Sequence, residues 1–66
     1  MKKNIKLKSY RKEKRLSQTK MAEKVGIDRA SYTLKENGNR KFTLEEAKTI
    51  SDIFGVSIEE LFFKEE

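Results

Sequence analysis

The sequence predicts an all-α fold of five short helices around one shared core. Three observations lead there. Proline is absent from the 66 residues, and the three glycines, Gly26, Gly38 and Gly55, each stand just after a run of helical periodicity. One start signal recurs four times: a small polar residue suited to capping a helix, an apolar residue before it, and a second apolar residue at the fourth helical position. No segment alternates apolar and polar residues convincingly with the period of two that a strand requires.

The first helix is expected over 4–14, with Leu7 and Tyr10 one turn apart on its inner face. The second, over 18–25, opens on the Ser17 cap between Leu16 and Met21 and buries Met21, Ala22 and Val25. The third, over 29–37, opens on Asp28 between Ile27 and Tyr32. The fourth, over 44–54, starts at Thr43 between Phe42 and Ala47, and Glu46 three residues on completes a capping box. Its Ala47, Ile50, Ile53 and Phe54 recur at helical spacing. The fifth, over 58–63, repeats that grammar with Ser57, Glu60 and the pair Val56 and Leu61; Ile58, Leu61 and Phe62 supply its spacing. The glycines suit the left-handed residue that closes a helix.

A chain of 66 residues with 35% apolar side chains holds one small core, so residues 1–66 are expected to form a single domain with no separate effector domain. Cys and His are both absent, which removes disulfides, thiolate nucleophiles, zinc sites built on those ligands and imidazole acid–base chemistry. No enzyme activity, cofactor, metal or small-molecule ligand is expected. The longest apolar run is Leu61-Phe62-Phe63, too short for a membrane span or a signal peptide, and a cytoplasmic location is expected. Charge is divided along the chain. Residues 1–41 carry 14 Lys and Arg against four acids, a surplus of ten; residues 42–66 carry two against seven acids, a deficit of five. That asymmetry points to a polyanion as partner of the first part, or else to a solvated basic surface. The Lys-rich start (Lys2, Lys3, Lys6, Lys8) adds generic attraction or is simply solvated, and the acids Glu59, Glu60, Glu65 and Glu66 read as a solvated face held off the polyanion.

Only Gly26-Ile27-Asp28 separates the second helix from the third. So short a turn forces the two helices to cross steeply, and the small Ala22 lets them approach closely. Residues 17–37 therefore read as a helix-turn-helix unit, in which the second of the two helices lies in the DNA major groove. The chain resembles the Cro/CI repressor-type (Xre) helix-turn-helix family of phage and bacterial regulators. The matching stretches are 11–18 (RKEKRLSQ), 21–27 (MAEKVGI), 36–38 (ENG) and 54–62 (FGVSIEELF), so that the resemblance extends over about residues 5–63. It implies a compact five-helix, lambda-repressor-like DNA-binding domain, commonly a dimer on a palindromic operator. One position departs from the family pattern: an aliphatic core residue usually precedes the Glu of the Glu-Asn-Gly turn, and here Lys35 stands there, after Leu34. Either Lys35 lays its methylene stem along the core with its ammonium outside, or the third helix rotates to bury Leu34. The first option keeps Tyr32 buried.

Matching positions in the family assign the roles. Arg29, Ala30, Thr33 and Leu34 are expected to meet base edges: Arg29 by forking onto guanine, Ala30 and Leu34 by packing on thymine methyls, Thr33 by either packing or hydrogen bonding. Leu34 has the core as its other candidate place. Gln18 and Ser17, at the start of the second helix, are expected on a phosphate, where a helix N-terminus favours an anion. Asn37, Asn39, Arg40 and Lys41 suit backbone clamping. Arg11 and Glu36 match an ion pair between the first helix and the end of the third. Ile58, Phe62 and Phe63 are expected at a homodimer interface, because one short helix cannot bury two adjacent rings equally; the other reading is that both rings cap the monomer core.

The leading expectation is thus a sequence-specific, double-stranded-DNA-binding transcriptional regulator, Cro-like or a compact repressor, bacterial or phage-encoded. The alternative is a protein-interaction module, such as an antitoxin or a regulator that docks a partner through its C-terminal helix. A membrane-surface role is not expected, since no continuous apolar stripe faces away from the basic residues.

Overall fold

A computed structural model of the chain describes residues 4–63. Lys2, Lys3, Glu65 and Glu66, whose roles are expected above, lie outside those residues. Five helices follow in order: α1 Ile5–Glu13, α2 Gln18–Val25, α3 Arg29–Glu36, α4 Leu44–Phe54 and α5 Ile58–Phe62. There is no strand among the described residues. Boundaries fall within one residue of those expected, the differences being residues that flank a helix rather than continue it: Asn4, Lys14, Asn37 and Phe63.

The four caps form as their side chains dictate. Ser17, Asp28, Thr43 and Ser57 are all extended, and each accepts a hydrogen bond from the backbone N–H three residues on. Thr43 and Glu46 close a reciprocal capping box. The Glu60 carboxylate reaches across to α1, accepting from Lys6 Nζ at 3.2 Å and Tyr10 Oη at 3.3 Å. It is half-buried there, so of the two described acids expected on a solvated face only Glu59 is exposed. Each staple places one residue in the core and one at its margin. Met21, Tyr32, Ala47 and Leu61 are buried, while Leu16, Ile27, Phe42 and Val56 pack against the core from outside. Leu7, Ile50 and Phe54 complete the centre. Phe42 bridges two rings there, with centroids 5.9 Å from Tyr32 and 5.6 Å from Phe62.

Gly26 closes α2 at φ +90°, a left-handed conformation that lets the chain turn at once into the Asp28 cap. The link from α1 to α2 makes the same kind of turn without a glycine. Arg15 takes φ +59°. Arg15 N–H donates to Lys12 O and Leu16 N–H to Arg11 O, which is the paired pattern that ends a helix through a left-handed residue.

Candidate nucleic-acid interface

α3 divides its residues between two sides. Tyr32 and Glu36, four apart, are buried. Arg29 and Ala30 are exposed, and Thr33, Leu34 and Asn37 are half-buried. The N-terminus of α2 lies beside this helix: Ser17 is exposed at the cap, and the Gln18 side chain bonds directly to Thr33 of α3, whose Oγ1 donates to Gln18 Oε1 at 2.9 Å. After α3 the chain turns through Gly38, with Asn39 N–H donating to Leu34 O at 2.8 Å. Asn39, Arg40 and Lys41 follow, all exposed.

One buried ion pair holds this arrangement. Glu36 is only 2% exposed. Its carboxylate accepts from Arg11 Nε at 2.8 Å and Arg11 Nη2 at 3.2 Å, from Tyr32 Oη at 2.9 Å and from Gln18 Nε2 at 2.9 Å. The remaining Arg11 nitrogen, Nη1, donates to Leu16 O at 2.8 Å, which ties the α1–α2 turn to the same centre. Burial alone would raise the Glu36 pKa. The hydrogen bonds from Arg11, Gln18 and Tyr32 and the Arg11 charge outweigh it, so the carboxyl sits below its ordinary value and is ionised. Burial, together with the Glu36 charge, pushes the Tyr32 phenol well above its usual range and keeps it a neutral donor. No buried side-chain nitrogen or oxygen among the described residues lacks a partner.

Lys35 resolves its two options in an unexpected way. Tyr32 keeps its buried place. The Lys35 ammonium, however, is not outside. It donates to both Glu46 oxygens at 2.7 and 2.9 Å, with side-chain exposures of 12% for Lys35 and 14% for Glu46, and lies 6.0 Å from the Phe42 ring centroid. A carboxylate already placed by the α4 capping box takes the charge that solvent was expected to take. Burial raises the Glu46 pKa less than the Lys35 and Thr43 hydrogen bonds lower it. Leu34 is left half-buried, wholly on neither side.

An apolar groove of about 570 Å³ adjoins the turn after α3: Phe42, Leu44, Ile58, Phe62 and Phe63 line it together with Arg40 and Lys41. Phe62 and Ile58 are half-buried. Phe63 is 72% exposed and Leu44, which sequence reasoning did not single out, 77%. Among the described residues, no three Cys, His, Asp or Glu side chains cluster as metal ligands would, and no helix is long and apolar enough to cross a membrane.

A helix-turn-helix family model matches residues 7–61. The chain belongs to the Cro/C1-type helix-turn-helix family. It is 44% identical over 55 residues to YqaE, an uncharacterized HTH-type transcriptional regulator of Bacillus subtilis (strain 168); the match takes in 83% of this chain and 47% of that protein, so the chain spans under half of that relative's length. It is 43% identical over 58 residues to the control protein C.MunI of a Mycoplasma species, over 86% of this chain and 78% of that one. It is 38% identical over 61 residues to the uncharacterized HTH-type transcriptional regulator MJ0272 of Methanocaldococcus jannaschii, over 92% of each. No solved structure matches the chain. In this helix-turn-helix domain α2 and α3 are the two helices of the motif. The Gln18–Thr33 and Gln18–Glu36 bonds between them went unread in the sequence. The only signal was the spacing of four between Tyr32 and Glu36, which puts both on one side of α3.

Proposed function

We propose that this helix-turn-helix regulator is a Cro/CI-like repressor that binds a palindromic operator as a homodimer, with α3 in the major groove. The observation that carries the reading is the exposed side of α3, where Arg29 and Ala30 stand in the open beside the N-terminus of α2 and the exposed cations Arg40 and Lys41 follow. Arg29 forks onto a guanine, Ala30 and Leu34 pack on thymine methyls, and Thr33 meets a base edge. Ser17, Gln18, Asn37, Asn39, Arg40 and Lys41 hold the phosphates on either side. The exposed Phe63 and Leu44, with Ile58 and Phe62 beneath, form the contact with a second copy. A two-fold axis there sets two α3 helices about 34 Å apart, one major-groove turn. Repression follows from occupying DNA that polymerase needs.

The test is selection of bound duplexes from a random pool, with sedimentation of the free protein. The reading expects an inverted repeat whose half-site centres lie about 10 base pairs apart, and a species of twice the chain mass that Phe63→Ser reduces to one. Duplexes that are not retained even at low salt would overturn it. A second reading, in which the same groove docks a different protein, is favoured if Phe63→Ser abolishes capture of such a partner while the free chain sediments as a monomer.

A further inference from the structure

The buried ion pair fixes the direction of every hydrogen bond between it and the surface of α3. A carboxylate only accepts. Glu36 therefore compels Gln18 to present its NH2, and the Nε2–Oε1 distance of 2.9 Å fits that orientation. Turning the amide over would set its carbonyl oxygen against the carboxylate. With the NH2 so placed, the Gln18 carbonyl oxygen faces Thr33, 2.9 Å from Oγ1. A carbonyl oxygen also only accepts, so Thr33 must donate, and a hydroxyl has a single proton to give. The Thr33 oxygen keeps nothing but lone pairs for any other partner.

We infer that Thr33 is a specificity-determining residue of fixed polarity, whose hydroxyl accepts from an exocyclic amine, adenine N6 or cytosine N4, and does not donate to a keto oxygen. The inference rests on the reading of α3 in the major groove. There, adenine and cytosine offer amine donors where guanine and thymine offer oxygen acceptors. An unconstrained threonine hydroxyl serves either kind. Here the Arg11–Glu36 pair reaches through Gln18 to remove one choice, so Gln18 is a positioning residue for readout in addition to any phosphate contact.

Selection from a random duplex pool tests this with the wild type, Thr33→Val, Thr33→Ser and Gln18→Leu. Thr33→Val keeps the shape and a methyl but has no acceptor; Thr33→Ser keeps the hydroxyl. The wild type is expected to favour adenine, cytosine or both over guanine and thymine at one position of one strand in each half-site. The factor is about threefold to tenfold, as befits one hydrogen bond. Thr33→Val should abolish that preference and Thr33→Ser should retain it. Gln18→Leu frees the hydroxyl proton and should let guanine and thymine in at that position, whereas loss of a phosphate contact would weaken all sequences alike. The inference is overturned if Thr33→Val alters no position, if the altered position favours guanine or thymine, or if Gln18→Leu leaves the preference as it was. A wild type that enriches no duplex at all defeats the DNA-binding reading itself, and this inference with it.

Discussion

Arg11→Met takes the cation away from a carboxylate that is 2% exposed, while leaving a side chain of similar length. Glu36 keeps its bonds from Gln18 and Tyr32 but loses two from the guanidinium, and Leu16 O loses its donor. Stranding one member of a buried pair costs about 3–5 kcal/mol. A chain of this size has roughly 3–10 kcal/mol in total. At about 4–8 °C per kcal/mol for so small a domain, even the lower figure lowers Tm by roughly 12–24 °C. The pH dependence gives a second, signed readout. In the wild type the Glu36 pKa is lower folded than unfolded, so its contribution is complete above the ordinary value of 4.5 and is lost as pH falls through the folded value. In Arg11→Met, burial meets less opposition and the folded pKa is expected above 4.5. Protonation then relieves the variant as pH falls. Urea denaturation followed by circular dichroism at pH 7 and pH 4.5 should show a gap between wild type and variant that narrows on acidification. A gap of equal size at both pH values, or one under about 1 kcal/mol at pH 7, would refute the argument.

Arg15→Gly should stabilise the protein by about 0.5–1 kcal/mol, seen as a higher urea midpoint, because a non-glycine side chain at φ +59° carries steric strain that glycine lacks. Glu46→Gln should destabilise more than Lys35→Met in the same assay: the first leaves a largely covered ammonium without its counter-charge, and the second leaves a carboxylate still bonded to Thr43 N–H and puts an apolar chain beside Phe42. Lys41→Ala should weaken binding to all duplexes alike and lower the salt slope by roughly one, whereas Arg29→Ala should act mainly on the preferred site; identical behaviour of the two would erase the division between clamping and reading residues.

The helix starts were legible because their causes are local. A serine, threonine or aspartate and two flanking apolar residues decide each start within five positions, and Leu16, Ser17 and Met21 behave as that local chemistry requires. What depends on helices crossing was not legible. Gln18 meets Thr33 and Glu36 only because α2 and α3 cross where they do, and no spacing along the chain announces it. Lys35 looked destined for water because its counter-charge, Glu46, belongs to another helix and seemed fully employed as a cap. Glu60 departs from its expected solvated place for the same reason, with Lys6 and Tyr10 donating to it from α1. Arg15 carries no sequence mark of its left-handed turn, since glycine is the residue that signals one and here the helix-ending hydrogen bonds impose it on an arginine. Of the base-facing candidates, Arg29 and Ala30 follow from the helical period, while Leu34 lies on the border between two faces and the period cannot assign it.

Asn4 leaves α1 without a side-chain cap of its own and serves α3 instead: its backbone N–H donates to Glu36 O at 3.1 Å and its Nδ2 to Lys35 O at 2.8 Å. Glu36 O, a carbonyl at the end of α3 that the helix itself cannot satisfy, is thereby closed by the segment entering α1, and Lys35 O, which already accepts from Gly38 N–H at 3.1 Å, gains a second donor. Trimming through that asparagine, or pulling on it with a poorly chosen fusion tag, would fray the last turn of α3 from outside, although no residue of that helix had been touched.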